Sequence, residues 1–190
     1  IAEVTTNYNI MLDNLKMLLE DVKNKERQKR KAELKALQAQ INPHFLSNTL
    51  NTARWLAGVQ NAQNVEELLT SLIELLHASM GKGDELITVE EELKYLRNYI
   101  SIQEFKYYDK FKVHFDIQPE TRKYKILKFI LQPLVENSII HGIEPLKGTG
   151  VIVVKINAEG DVLKVRITDN GVGISEDIMK DILTKDRPNK

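Results

Sequence analysis

LQAQINPHFLSNTLN, from Leu37 to Asn51, sets a proline and a histidine within an otherwise helical apolar pattern. Pro43 lacks a backbone donor and crowds the preceding turn, a defect that costs roughly 3 kcal/mol in a helix interior. The stretch therefore predicts a helical domain whose first helix is kinked just before His44. Around it, apolar or small residues recur at the spacing of a helix with one buried face, at Leu34, Leu37, Ile41, Phe45, Thr52, Trp55 and Val59.

The polar residues beside this kink follow one another at four-residue steps. Gln40, His44 and Asn48 should therefore stack along one face of the helix, with two amides flanking an imidazole. From this segment alone, His44 is either a structural histidine in a kinked core helix or a functional group.

A second motif, LQPLVENSIIHG from Leu131 to Gly142, predicts a helix that begins near Pro133 and ends at Gly142. Its polar pair, Glu136 and Asn137, lies beside an apolar stripe, and His141 comes one turn beyond Asn137. An amide oxygen suits Mg²⁺, which is usually held by few protein groups together with phosphate oxygens. The alternative is an amphipathic helix whose polar face only meets water.

A third motif, ITDNGVGI from Ile167 to Ile174, closes an alternating run that predicts a strand. Asp169 stands at the end of that strand, where its carboxylate can accept a hydrogen bond from an exocyclic amine such as that of adenine. Gly171 and Gly173 would let the backbone come close to a flat ligand. The same letters are also typical of an ordinary turn.

In this order and spacing, the three motifs resemble those of the LytS/YesM branch of sensor histidine kinases, whose nucleotide domain is of the Bergerat type shared with DNA gyrase. The segment from Thr88 to Phe111 resembles the family's connecting helix. The matches are Asn42, Pro43, His44 and Phe45 with the phosphoacceptor box, Glu136, Asn137, His141 and Gly142 with the N box, and Asp169, Gly171 and Gly173 with the first glycine box.

The resemblance implies autophosphorylation. His44 would attack the γ-phosphate of ATP, with Gln40 and Asn48 beside it as further catalytic residues. Asn137 would hold Mg²⁺ and Asp169 would bind adenine. The phosphate would then pass to an aspartate of a response regulator protein. Glu136, His141, Gly171 and Gly173 would complete the nucleotide site.

This chain departs from the pattern at two points. Many histidine kinases of other branches carry an acidic residue after the phosphoacceptor, whereas this chain has Phe45. The family's second glycine box and phosphate-covering loop should follow Ile174, and residues 175–190 do not contain them. We therefore expect this stretch of chain to bind nucleotide weakly by itself.

The predicted fold class is α+β. Residues 1–33 would form a signalling helix, since Tyr8, Asn9, Met11 and Leu12 resemble the end of a HAMP linker. Residues 34–85 would form a helical hairpin that pairs with a second copy into a four-helix bundle, with a hinge from Gly81 to Glu85. Residues 86–190 would form an ATP-binding α/β sandwich with a mostly antiparallel sheet.

Composition excludes several other classes. The 27 basic and 27 acidic residues balance, so nothing indicates a nucleic-acid surface, and the absence of cysteine excludes disulfides and thiolate metal sites. His77 and His114 are predicted to be structural. The sequence has no membrane span or signal peptide, but it begins with Ile1, and the HAMP-like start predicts a parent receptor anchored in the membrane upstream, with this chain as its cytoplasmic portion.

Two alternatives to the kinase stay open. One is a Bergerat-type ATPase in which Glu136 activates water. The other is a dimerising signal relay that has lost nucleotide binding.

Overall fold

The computed structural model describes residues 17–26, 28–30, 42–80 and 85–174. They belong to two compact units, Ile1–Leu46 and Ser47–Lys190. In the first unit, residues 17–26 and 28–30, which belong to the predicted signalling helix, are helical and exposed, including the apolar Leu19 and Val22. The HAMP-like residues, Gln40 and residues 81–84 of the predicted hinge lie outside the described ranges.

The helix that carries His44, α1, spans Pro43–Val59. Residue 42 is not helical, so the predicted kink inside a continuous helix is wrong: Pro43 is the first residue of a helix. Proline is well tolerated there because the first N–H groups of a helix have no partner within it. Asn42 acts as the cap, since its side-chain oxygen accepts a hydrogen bond from the Phe45 backbone N–H at 3.2 Å.

The second helix, α2, spans Gln63–Met80 and forms the predicted hairpin with α1. The connection is residues 60–62, and Asn61 takes a left-handed conformation in it with φ 55°. Ser47 Oγ lies 2.7 Å from His77 Nε2 and bridges the two helices, which agrees with a structural role for His77. One face of the hairpin leaves large apolar side chains in solvent, with Trp55 67% exposed.

The long helix α3 spans Val89–Tyr107 and follows the short strand β1, Leu86–Thr88. Thr88 caps it, and a reciprocal hydrogen bond from the Thr88 backbone N–H to the Glu91 carboxylate completes a capping box. Its buried face forms much of the core and consists of Val89, Glu92, Leu93, Leu96, Tyr99 and Ile100.

Three strands form the main sheet in the order β2 (Phe111–Ile117), β4 (Gly150–Glu159) and β5 (Val162–Asp169). β2 and β4 are parallel, so the sheet is mixed and the prediction of a mostly antiparallel sheet missed this pair. Parallel strands need a long crossover, and here it contains a 3₁₀ turn, Pro119–Lys123, the strand β3, Lys125–Leu127, and the helix α4, Leu131–Asn137. β3 pairs with β1 in a second, two-stranded sheet.

The core lies between this sheet and the helices α3 and α4. Alternate residues of β4, namely Ile152, Val154 and Ile156, are completely buried. They join the buried faces of α3 and α4 in one cluster. Helices on a sheet, in separate layers, confirm the predicted α+β class.

Candidate functional site

Asp169 is the last residue of β5, where it pairs with Ile152 of β4. Its Oδ1 accepts a hydrogen bond from the Gly171 backbone N–H at 2.9 Å. This turn, in which an aspartate side chain binds the backbone two residues later, fixes the orientation of the carboxylate. Among the described residues none hydrogen-bonds to Oδ2, which leaves that oxygen as an acceptor at the edge of the sheet.

The second and third motifs, about thirty residues apart in sequence, meet at Gly142 and Gly171. The Val172 N–H donates to the Gly142 carbonyl at 2.9 Å. A Cβ at Gly142 would lie 2.8 Å from Asp169 Oδ1, and a Cβ at Gly171 would overlap the Gly142 backbone. Gly171 therefore permits a contact within the protein, where the sequence had suggested an approach to a ligand.

Gly173 differs from Gly171. Its φ is +75°, which only glycine adopts readily, and no atom of the described residues lies within 4 Å of a Cβ placed there. The conformation at Gly173 thus depends on glycine, and the part of the chain that the structure describes does not fill the space beside it.

The helix that carries Glu136 and Asn137 begins at Leu131, two residues before the predicted start near Pro133. It continues as a π-helical turn, Ser138–Ile143, in which the Glu144 N–H donates to the Ile139 carbonyl at 2.8 Å. Such turns occur frequently at functional sites. Asn137 and His141 are exposed, and Glu136 is half-buried, so the polar groups of this motif are accessible to solvent.

The start of α4 is held by a buried carboxylate that the sequence analysis missed. Glu92 is 1% exposed, and its two oxygens accept hydrogen bonds from the backbone N–H groups of Phe129 at 2.7 Å and Leu131 at 2.9 Å. Burial raises the pKa of Glu92, while these bonds oppose the shift. Its place on the same helix face as Val89 and Leu96 was the available signal, because that periodicity indicates a buried position.

Phe129, between β3 and α4, has a φ of +58°. A bulky residue in this left-handed region is strained, by roughly 1–3 kcal/mol. Its ring packs against Tyr95 at 5.6 Å between centroids, and the neighbouring Lys128 donates from Nζ to the Ala78 carbonyl in the last turn of α2. The junction between β3 and α4 is therefore fixed from both α2 and α3.

Glu136 faces the long helix α3. Burial raises the pKa of Tyr99 to about 12, and the negative charge of Glu136 adds to the shift. Tyr99 is therefore uncharged across the physiological range, and Glu136 lies close enough to influence it.

His44 and Asn48 are four residues apart on α1 and both are exposed. The separation places them on one face of the helix. Gln40 is not among the described residues, so its stacking on His44 stays a prediction.

Within the described ranges, no group of three or more His, Cys, Asp or Glu side chains could hold a metal ion. In the same ranges, no helix is both long and apolar enough to cross a membrane.

Comparisons with known proteins agree on one family. Residues 32–111 match the family described as Histidine kinase, and residues 123–189 match the family described as Histidine kinase-, DNA gyrase B-, and HSP90-like ATPase. The second match implies an ATP-binding domain.

Three curated sensor proteins are similar to this chain. Sensor histidine kinase YesM of Bacillus subtilis strain 168 is 33% identical over 92% of this chain and 30% of that protein. Sensor histidine kinase YpdA of Escherichia coli K12 is 36% identical over 83% of this chain and 28% of that protein. Sensor protein LytS of Staphylococcus epidermidis is 35% identical over 77% of this chain and 25% of that protein. The chain thus spans less than a third of the length of each.

We predict opposite effects of alanine at two glycines. Gly171→Ala should lower the free energy of unfolding by about 1–3 kcal/mol, since the new methyl overlaps backbone that cannot move freely. Gly58→Ala is the control: Gly58 is helical, the methyl meets Glu66 at an ordinary 3.5 Å, and the variant should gain about 0.5–1 kcal/mol. Urea unfolding measures both, and a neutral or stabilising Gly171→Ala would contradict the described contact.

Proposed function

The chain belongs to the family of LytS- and YesM-type sensor histidine kinases, and from this premise we propose that it is the core of a kinase that phosphorylates its own His44 with ATP and passes the phosphate to a response regulator. The observation that carries the proposal is the contact between Gly142 and the turn from Asp169 to Gly171. This contact brings the two motifs that resemble nucleotide-binding boxes together at one sheet edge.

Asp169 binds the adenine. One of its oxygens is used by the Gly171 N–H, and the other can accept a hydrogen bond from the exocyclic amine. The open space beside Gly173 suits a flat ring that approaches backbone. Adenine specificity then comes from a carboxylate whose orientation the turn fixes before the ligand arrives.

Asn137 holds Mg²⁺, with Glu136 and His141 beside it in the nucleotide site. Its exposed amide oxygen is a neutral ligand of the kind Mg²⁺ accepts, and one protein ligand suffices when phosphate oxygens and water supply the others. The ion would neutralise charge on the phosphates during transfer. Asn137 is the last residue of α4, and the π turn follows it directly. Its position therefore depends both on how the start of α4 is held and on how the end of the π turn is held.

His44 is the nucleophile. An imidazole nitrogen forms a bond to the γ-phosphorus as the bond from that phosphorus to its bridging oxygen breaks, and ADP leaves with the electron pair. A carboxylate oxygen of the regulator then displaces the histidine. His44 is exposed near the start of α1, where both partners can reach it.

Asn48 serves the removal of phosphate from the regulator. One turn after His44, its amide can orient a water molecule or contact a phosphoryl group. An amide has no useful basicity, so Asn48 is not the base for autophosphorylation. Gln40 takes the corresponding place one turn before His44 in the sequence.

The protein acts as a homodimer. Large apolar side chains on the hairpin are exposed, among them Trp55, Leu56, Val59 and Val65. Two hairpins that bury these faces against each other make a four-helix bundle. The HAMP-like residues Tyr8, Asn9, Met11 and Leu12 support the further proposal that the chain is the cytoplasmic part of a membrane receptor, where ATP and Mg²⁺ are available.

The first test maps the phosphate. In the full-length protein incubated with γ-labelled ATP and Mg²⁺, acid-labile label should appear on His44, and His44→Gln should abolish it. His114→Gln changes an exposed strand histidine and should keep the label. Acid-labile label that persists in His44→Gln would contradict the assignment of His44 as the phosphorylated residue. Free phosphate without phosphoprotein would favour an ATPase in which Glu136 activates water.

A second test separates the two halves of the nucleotide site. Asp169→Asn should weaken ATP binding about ten-fold or more, because a hydrogen bond to a charged group contributes about 1.5–3 kcal/mol. Asn137→Ala should abolish mainly the Mg²⁺-dependent part of the affinity. Asp116→Asn, which removes a surface ion pair with Lys155, is the matched control. Calorimetry that finds wild-type affinity in both site variants would place the nucleotide elsewhere.

A third test concerns Asn48. Asn48→Ala should leave phosphorylation of His44 near wild type and slow the decay of the phosphorylated regulator. Thr52→Ala, one turn farther along, removes a hydroxyl that donates to the Asn48 carbonyl and serves as the control. If autophosphorylation collapses while regulator decay is unchanged, Asn48 belongs to the kinase step or to the fold.

A further inference from the structure

The helix that carries Asn137 is fixed at its two ends by different parts of the domain. At its far end, the Gly142 carbonyl accepts a hydrogen bond from Val172, beside the turn of Asp169. At its near end, residues 129–131 meet the carboxylate of Glu92 from α3. Loosening of the near end would therefore act on the helix that carries Asn137, whereas Asp169 is held separately by β4 and by the Gly171 N–H.

Glu92 holds the near end through two oxygens at once. Oε2 accepts from the Phe129 N–H at 2.7 Å and Oε1 from the Leu131 N–H at 2.9 Å. Leu131 is the first residue of α4, so its N–H has no partner within the helix, and Phe129 comes two residues earlier. A carboxylate supplies two acceptors here, and no neutral side chain of the same shape does so.

The backbone conformation that Glu92 holds at Phe129 is energetically unfavourable. Phe129 lies in the left-handed region, which a phenylalanine adopts only when its surroundings impose it. Glu92 binds that residue's N–H directly. On the other side, Phe129, Gln132 and Pro133 face Leu72 and Leu76 of α2 across an open groove. Apart from the hydrogen bond from Lys128 to the Ala78 carbonyl, that side therefore leaves room for the junction to relax.

We propose that Glu92 is a positioning residue for the nucleotide site: its buried carboxylate holds the strained Phe129 and the start of α4 in one arrangement and thereby sets the place of Asn137. The proposal rests on the proposed kinase function for its effect on Mg²⁺ and ATP. The part that concerns α4 itself stands on the described contacts alone.

The test compares Glu92→Gln with wild type in the full-length protein. Glutamine keeps the shape but turns one acceptor into a donor that faces an N–H group. Affinity for ATP with Mg²⁺ should fall at least five-fold, while affinity for ADP with chelator should change less than two-fold, because Asp169 is untouched. Amide hydrogen exchange without nucleotide should speed up at residues 129–137.

Two further variants make the result specific. Thr121→Val removes a completely buried hydroxyl that donates to the Gln118 carbonyl within its own turn, so it should lower stability without the Mg²⁺-dependent loss or the faster exchange at 129–137. Glu92→Asp keeps the charge but withdraws it by about 1.5 Å, one carbon–carbon bond. Glu92→Asp should also lose more affinity for ATP with Mg²⁺ than for ADP with chelator. If Glu92→Gln does not fold, Glu92→Asp takes its place in the test.

The outcomes are distinct. Unchanged exchange at residues 129–137 in a folded Glu92 variant overturns the proposal, and so does an equal loss of both affinities. If the wild-type protein binds neither nucleotide, the proposed function fails, and the exchange experiment still decides whether Glu92 positions α4.

Discussion

The backbones of Gly142 and Gly171 approach so closely that a side chain at residue 171 would overlap the carbonyl region of residue 142. Because of this contact, the end of the π turn is joined to the end of β5. Asp169 in turn receives its orientation from the Gly171 N–H. The helical segment that carries Asn137 and the strand that ends at Asp169 are therefore joined, although they come from separate parts of the sequence.

The buried contacts of α4 and the ion pairs at the surface contribute different amounts of free energy to the fold. Burying a carboxylate costs several kcal/mol, and each hydrogen bond to it returns about 1.5–3 kcal/mol, so Glu92 is tolerated only with its N–H partners in place. The exposed ion pairs, such as Arg122 with Glu90, contribute about 0–1 kcal/mol each. The position of α4 thus depends on the buried carboxylate and the glycine contact, and surface charge pairs have little influence on it.

Local signals in the sequence predicted the parts of the fold that depend on neighbours in the chain. Threonine is a favoured N-cap residue, so Thr88 alone indicates where α3 begins, and the structure adds the capping box with Glu91. The hairpin and the strands follow from apolar periodicity for the same reason. Periodicity and turn residues were also enough to place Asn137 on a helix and Asp169 at the end of a strand.

Features that depend on distant residues could not be predicted in this way. Glu92 follows Glu90 and Glu91 in the first turn of α3, where the helix dipole favours acidic side chains. Only its tertiary contacts with residues 129–131 show that it also holds the start of α4. A π turn contains one residue more than an α-helical turn, and no residue propensity indicates where that residue is inserted. Asn42 and Pro43 satisfy the rules for a kink and for a helix start equally well, and the hydrogen bond from Phe45 decides between them.

The most direct measurement is a crystal structure of the full-length protein with Mg²⁺ and a non-hydrolysable ATP analogue. We expect the exocyclic amine of adenine to lie within hydrogen-bonding distance of the Asp169 carboxylate and the Asn137 side-chain oxygen to coordinate the ion, with the contact between Gly142 and Gly171 unchanged. A nucleotide bound away from Asp169, or a site formed only after Gly142 and Gly171 separate, would contradict it.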